Sequence, residues 1–299
     1  MRHVVSLYNG IEMPLVGLGV FKTNDQKEMD NAVRYAFEAG YRSFDTAQMY
    51  QNEHILGESL RRSGIARSDI FLTSKLDNPN QGYDKALLSF EESLRKLKTD
   101  YLDLFLIHWP GQKRSRLIES WRALERLHKE GRIRAIGVSN CMKRHLQWMA
   151  EDCDVMPAVN QIERHPLLNQ NGLAQWCTQR GIQVEAWGPL VRGSFDFPRI
   201  REMAARYGKT PAQIILRWNV QSGYAVIPKS VHRDRIFENI DLFDFALDET
   251  DMRAIDAMDA GGRTSLDPET FAFKGIDGRA KKAPLKPVFQ GRLFIDMRI

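Results

Sequence analysis

Short apolar or β-branched runs alternate along this chain with amphipathic stretches of about ten residues or more, the sequence sign of repeated strand-helix-strand units wound around a parallel sheet. Eight such runs lie near residues 16–18, 43–45, 70–73, 104–107, 135–138, 158–160, 183–186 and 225–227. Between them, the stretches 27–39, 53–62, 83–97 and 117–129 repeat apolar residues at spacings of three and four, which gives a helix one buried face. Gly40, Gly131 and Gly181 follow helical stretches at positions suited to a C-cap. Eight strands with helical returns predict a (β/α)8 TIM barrel, and 299 residues commonly form one such domain around a single core.

Ahead of the first unit, Val4-Val5-Ser6-Leu7, then Asn9-Gly10, then Ile11-Glu12-Met13 read as a hairpin with a two-residue turn, placed to cap one end of the barrel. No linker or low-complexity tract interrupts the chain up to about residue 260. From Gly261 onward it is rich in Gly, Pro and Lys with little periodicity, as in a loop excursion over the barrel. The expected division is a barrel over 1–273 and a basic tail over 274–299. Much of the net charge of +5 comes from that tail, in Lys274, Arg279, Lys281, Lys282, Lys286, Arg292 and Arg298. Without it the balance is near neutral, so the charge points to a solvated segment rather than to a nucleic-acid partner.

No apolar run approaches the roughly 18 residues a membrane-spanning helix needs, and the N-terminus breaks into a turn before a signal-peptide core could form. A cytoplasmic monomer is the expectation. Cys141, Cys153 and Cys177 are odd in number and match no metal-ligand spacing, so neither a disulfide framework nor a metal site is expected.

A parallel barrel gathers its chemistry at the C-terminal ends of the strands. The exits carry Asp45 and Tyr50 after the second run, Lys75 after the third and His108 after the fourth. Ser139-Asn140, Gln161, Trp187 and Lys229-Ser230 follow the remaining four. A purely structural barrel has no need of such groups there. A phenol with an ordinary pKa near 10 donates well at neutrality only if a nearby cation lowers that value, and Lys75 can supply the charge while Asp45 keeps the lysine ionised. Beside that lysine His108 is expected neutral, free to orient a carbonyl oxygen or to pass a proton. Singly, these residues read as an ion pair, a surface phenol and a core histidine; together at three successive exits they read as a proton-transfer unit.

Six segments then carry a resemblance: Phe44-Asp45-Thr46-Ala47-Gln48-Met49-Tyr50-Gln51-Asn52-Glu53, Thr73-Ser74-Lys75-Leu76, Leu106-Ile107-His108-Trp109-Pro110, Ile136-Gly137-Val138-Ser139-Asn140, Val159-Asn160-Gln161 and Ile227-Pro228-Lys229-Ser230-Val231. In order and content they closely resemble the signatures of the aldo-keto reductases, over residues from about 4 to 273. The resemblance implies Tyr50 as general acid, Lys75 and Asp45 as the pair that sets its acidity, and His108 as a guide for the substrate carbonyl. It also implies NADPH in an extended pose on the barrel. Ser139, Asn140 and Gln161 would then hold the carboxamide, with Trp187 stacked on the nicotinamide ring. Gly188 and Leu190 lie in the pyrophosphate-facing loop. Lys229, Ser230, Val231 and Arg235 resemble the clamp on the adenosine 2′-phosphate, and Glu238 and Asn239 stand where the family contacts adenine. Gly17-Leu18-Gly19 continues to Val20-Phe21-Lys22, so the Gly-x-Gly-x-x-Gly fingerprint of a Rossmann dehydrogenase is absent.

The expected partner is a small carbonyl compound, in a pocket formed by Phe21, Met49, Asp77 and Trp109. Three positions depart from the family pattern. Asp77 replaces a common tryptophan and opens the pocket to a polar or cationic substrate, Phe21 replaces another, and Gly188 replaces a serine with loss of one cofactor hydrogen bond. The short loop after His108-Trp109-Pro110 resembles the microbial and protozoan branch that includes 2,5-diketo-gluconate reductases and prostaglandin F synthases. The implied activity is NADPH-dependent reduction of aldehydes or ketones, with endoperoxide or diketo-sugar reduction as sharper variants. A cofactor-binding regulatory module, as in potassium-channel β-subunits, would not need the full Asp45, Tyr50, Lys75 and His108 set. A Schiff-base barrel built on Lys75 would not need Trp187 or the cationic clamp.

Overall fold

A computed structural model describes residues 3–273. The chain opens with an antiparallel hairpin, β1 (Val4–Ser6) and β2 (Glu12–Pro14), paired in the register Val4↔Pro14 and Ser6↔Glu12. Its turn is longer than the two residues expected. Leu7 N donates to Ile11 O at 2.9 Å and Gly10 N to Leu7 O at 2.9 Å, so three residues, Tyr8 to Gly10, lie between the last paired positions. Gly10 takes φ +81°, and this left-handed residue lets the third position fit as a bulge. The same Asn-Gly pair serves either turn, which is why the sequence did not separate them. Leu7 and Met13 of the hairpin pack on Phe71, Leu104 and Ala135, closing the barrel at the end opposite the site.

The barrel consists of β3 (Leu18–Gly19), β4 (Ser43–Asp45), β5 (Phe71–Leu76), β6 (Leu102–Ile107), β7 (Ile133–Ser139), β8 (Val159–Glu163), β9 (Gln183–Trp187) and β10 (Ala225–Val226), all parallel and adjacent in chain order. Closure between the first and last strands comes from Gly17 N to Val226 O at 2.9 Å, Val226 N to Leu15 O at 2.8 Å and Gly19 N to Pro228 O at 3.1 Å. Helices cover the outside, among them Gln26–Ala39, Glu53–Ser63, Tyr83–Leu97 and Arg114–Lys129. Of the anticipated C-caps, Gly40 forms, with φ +102° and its N–H donating to Ala36 O and Phe37 O, whereas Gly131 and Gly181, also left-handed, lie just past the caps Glu130 and Gln179. The assignment of 274–299 as a basic tail falls outside the described residues.

Side chains on a strand point alternately to opposite faces. On β5, Leu72 and Leu76 face the outer helices, whereas Thr73 and Lys75 share the opposite parity and Ser74 turns out to meet Glu53 of the covering helix at 2.6 Å. On β6, Phe105 and Ile107 join the outer layer while Leu104 and Leu106 fill the inside, so His108 follows on the inner face. The same count puts Asp45, Ser139, Gln161, Glu185 and Trp187 inward. The site is therefore a consequence of period two applied to six neighbouring strands.

The helix Glu53–Ser63 holds the Tyr50 turn and crosses the end of Tyr83–Leu97 at Gly57. A Cβ there would stand 2.5 Å from Lys96 O and 2.7 Å from Leu97 C. Both obstacles are backbone, so neither can swing aside. Gly57→Ala is expected to cost about 3 kcal/mol through forced separation of the two helices, lowering Tm in thermal unfolding by roughly 8 °C for a chain of this size. A Tm within 2 °C of the parent, an arbitrary bound of about half a kcal/mol, would show that the helices slide apart freely.

Candidate active site

Lys75 is fully buried, and its ammonium donates to Asp45 Oδ1 at 2.5 Å, to Thr46 O at 2.9 Å and to Tyr50 OH at 3.4 Å. Burial alone would push Lys75 down, but the Asp45 carboxylate and the neighbouring phenol outweigh it and hold the ammonium above its ordinary value. The lysine is charged at neutrality. For Tyr50 the balance runs the other way from the expectation. Burial raises the phenol more than Lys75 lowers it, and Asp45 adds to the rise, so the net direction is up. Tyr50 is thus protonated across the physiological range, with the Lys75 ammonium beside its hydroxyl.

His108 is buried, its ring edge-on to Tyr50 with centroids 5.6 Å apart, and burial followed by the Lys75 charge holds it well below the usual histidine range. It is neutral, as expected. Its Nδ1 is buried with no hydrogen-bond partner among the described residues. A buried ring nitrogen left unpaired is costly.

Two residues that the sequence reading did not single out fix this unit. Asn52 is fully buried and ties three segments together, accepting from Thr46 Oγ1 at 2.8 Å and donating to Val20 O at 2.8 Å and Thr23 O at 3.1 Å. Gln48 donates to Ser93 Oγ at 2.9 Å and accepts from Asp77 N at 2.8 Å. They bracket the short helical turn Gln48–Tyr50 and so aim the phenol. An amide-bearing residue beside a catalytic one was visible in the sequence, but nothing local distinguished a clamp from a surface side chain.

Around the mouth, Ser139 Oγ donates to Gln161 O at 2.9 Å, and Asn140 donates to His108 O at 2.9 Å and Ser139 Oγ at 3.0 Å. Trp187 Nε1 donates to Asn140 Oδ1 at 3.0 Å, which sets the plane of the indole. These four expected nicotinamide residues are brought together. Gln161 Nε2 donates to Asp45 Oδ2 at 2.9 Å, which joins this group to the proton-transfer unit. Gly188 takes φ +61°, a conformation a serine would adopt only with strain, and Leu190 follows it in the same loop.

On the far side of that loop, Lys229 and Arg235 are exposed and Ser230 is buried with its hydroxyl accepting from His232 N at 3.1 Å. Val231 leads into the helix Arg233–Ile240, in which Asn239 is buried and Glu238 accepts from Thr210 Oγ1 at 2.6 Å. The exposed cations at a helix start suit an anion, the buried Asn239 less so a direct ligand contact.

At the substrate side, the Phe21 ring lies 4.8 Å from that of Tyr50, and Trp109 meets Phe271 edge-on at 5.0 Å. Met49 is half-buried beside Tyr50. Asp77 Oδ1 caps the next turn by accepting from Asn78 N at 2.7 Å, so part of its carboxylate is committed to structure, and burial raises it above the ordinary aspartate range. Phe271 reaches the mouth because the segment after residue 260 is latched down. Gln112 donates to Phe271 O at 2.8 Å, Arg144 Nε meets Glu269 Oε2 at 2.8 Å, and the buried Glu163 accepts from Thr264 N at 2.7 Å and Ser265 Oγ at 3.1 Å. No group of three or more metal-ligating side chains occurs among the described residues, and no described helix is long and apolar enough to cross a membrane.

A closed parallel barrel with a phenol, a paired ammonium and a neutral imidazole at one mouth matches the class of barrel oxidoreductases to which the comparisons assign it. The chain belongs to the aldo/keto reductase family, whose model matches residues 15–260. It is 46% identical over 274 residues to a glyoxal reductase of Bacillus subtilis, covering 91% of this chain and 99% of that one. A 9,11-endoperoxide prostaglandin H2 reductase of Trypanosoma cruzi is 44% identical over 271 residues, 89% of this chain and 95% of that one. Among solved structures, a Gox0644 variant in complex with NADPH superposes with a TM-score of 0.86 at 42% identity, covering 91% of this chain and all of that one. The branch expected from the short loop thus includes one of the relatives found.

Proposed function

We propose that this aldo/keto reductase uses NADPH to reduce small reactive aldehydes and dicarbonyls of the glyoxal kind, with Tyr50 as the proton donor. The observation that carries the reading is the Lys75 ammonium held between Asp45 Oδ1 at 2.5 Å and Tyr50 OH at 3.4 Å, beside an imidazole with an unpaired nitrogen. A carbonyl oxygen entering the mouth can accept from Tyr50 and lie against His108. When bound, NADPH supplies the hydride that goes to the carbonyl carbon. Tyr50 then gives its proton to the oxygen as alkoxide character develops, and Lys75 stabilises the phenolate. Phe21, Trp109 and Phe271 wall off water from the reacting atoms.

The residues fit the nicotinamide group: Ser139, Asn140 and Gln161 offer donors and acceptors at adjacent strand ends, and the Trp187 plane is fixed by Asn140. Lys229 and Arg235 offer charge for a 2′-phosphate. The substrate class is supported by the glyoxal reductase relative. Following NADPH absorbance with glyoxal, methylglyoxal, simple ketones and an endoperoxide ranks the candidates. Turnover of none of these carbonyls would overturn the reading.

For the cofactor, Arg235→Ala is expected to raise the KM for NADPH about tenfold, the ~1.5 kcal/mol of one hydrogen bond to a charged group. NADH kinetics should stay within twofold, since NADH has no 2′-phosphate to lose. Equal effects on both cofactors would remove Arg235 from the clamp.

A further inference from the structure

Behind Gln161 stands a buried acid that the scheme above does not use. Glu185 lies on β9, two residues before Trp187, directly opposite Gln161 in the β8–β9 register and only 2% exposed. Gln161 Nε2 donates to Glu185 Oε2 at 2.7 Å as well as to Asp45 Oδ2 at 2.9 Å. A side-chain amide nitrogen has two hydrogens, and both are now spent on carboxyl groups. The amide cannot turn over without setting its oxygen against Asp45, so Oε1 is left as the acceptor for a ligand.

We propose that Glu185 is a positioning residue for the nicotinamide: with Asp45 it locks the Gln161 amide so that its oxygen, and not its nitrogen, meets the cofactor carboxamide. The proposal rests on the reading of this mouth as an NADPH site. It also explains a matter of charge. Lys75 and Asp45 already balance, and a second carboxylate inside the barrel would leave the unit net negative. Burial first, and then the Asp45 charge, push Glu185 up to about 8, so at neutrality it carries a proton while one of its oxygens still accepts from Gln161. The charged or titratable groups that face it are Asp45 on β4, Lys75 on β5 and Tyr50 on the turn that follows β4. β10 places Ala225 opposite it, and Glu163 on β8 is spent on Thr264 and Ser265. When Glu185 ionises, its charge makes Tyr50 hold its proton more tightly.

Two variants of the full chain test this, Glu185→Gln and Glu185→Leu. NADPH binding is read by quenching of tryptophan fluorescence, alongside binding of 2′-phosphoadenosine diphosphoribose, which has every part of the cofactor except the nicotinamide. Glu185→Gln keeps an acceptor for Gln161, so its NADPH Kd should stay within twofold. The parent's kcat is expected to decline above about pH 8 as Glu185 ionises, and in Glu185→Gln that decline should be absent. Glu185→Leu removes one of the two acceptors that hold the Gln161 nitrogen and leaves Asp45 alone to orient the amide. Its NADPH Kd should rise at least about fivefold, the order of one lost hydrogen bond, with the fragment bound as in the parent. A structural defect would weaken both ligands together, and that result, or an unchanged pH profile in Glu185→Gln, would overturn the proposal. If the parent bound the fragment but not NADPH, the lock would fall; if it bound neither, the cofactor assignment would fall with it.

Discussion

Tyr50→Phe is expected to lower kcat for carbonyl reduction about 10³-fold, within the range that a positioned general acid contributes, while leaving the NADPH Kd within twofold. The variant keeps the ring that packs 4.8 Å from Phe21 and edge-on to His108, and loses only the hydroxyl that lies 3.4 Å from Lys75. His108 cannot take over as acid. Burial and the Lys75 charge keep it neutral far below the working pH, so it has no extra proton to give. Lys75 cannot do so either without leaving Asp45 as a bare buried anion. Single-turnover loss of NADPH absorbance with saturating glyoxal isolates the chemical step. A rate within tenfold of the parent would mean that another group, or water, supplies the proton.

Lys75→Met should be the more damaging change, because it strikes both stability and chemistry. A buried ion pair stripped of one partner typically costs about 3–5 kcal/mol, since the remaining charge has no compensation. Asp45 would keep only its bond from Gln161 Nε2, and Thr46 O would lose its donor. In the parent the folded lysine sits above its ordinary value, so its contribution is fully present below the unfolded pKa and is lost only as pH rises through the higher folded one. At neutrality the whole of it is at stake. In the variant Asp45 must take up a proton to remain buried, so stability should fall as pH rises from about 4 to 7. Denaturant unfolding at several pH values reads it. A variant with the parent's midpoint at pH 7 would show that Asp45 finds another donor. The kcat/KM should drop at least as far as in Tyr50→Phe, for the phenolate then has no cation beside it.

The four candidate catalytic positions were legible because two simple rules intersect at them. Strands end where the apolar run ends, and inward residues recur every second position, so Asp45, Lys75 and His108 had to face one cavity once the strands were placed. Tyr50 was legible through its neighbours, as the phenol nearest those charges. Glu185 obeys the same parity, two residues from Trp187, yet it sits inside a run read as a buried strand and was passed over. The rule that found Lys75 could have found it. Asn52 and Gln48 were not legible, because their role depends on Val20, Thr23, Ser93 and Asp77, each brought near only by the closed barrel. The same holds for the latch on Phe271, whose partners Gln112 and Arg144 are more than a hundred residues away in sequence. The balance at Tyr50 was misjudged for a related reason. Charge partners can be counted from sequence, whereas burial cannot, and here burial is the larger effect.

The alternation along β5 has a consequence for how such a molecule can vary. Ser74 faces the outer helix and Lys75 the cavity, so removing one residue earlier in that strand would send the ammonium into the helix layer and leave Leu76 in the place it held. Five of the inward groups stand on five different strands, and each is exposed to the same error. Substitution at a strand position changes one side chain, but a frame of one changes the meaning of every position after it. Length can therefore be gained or lost safely only between the strands, in the stretches that lie over the mouth, where it alters what enters and not what happens to it.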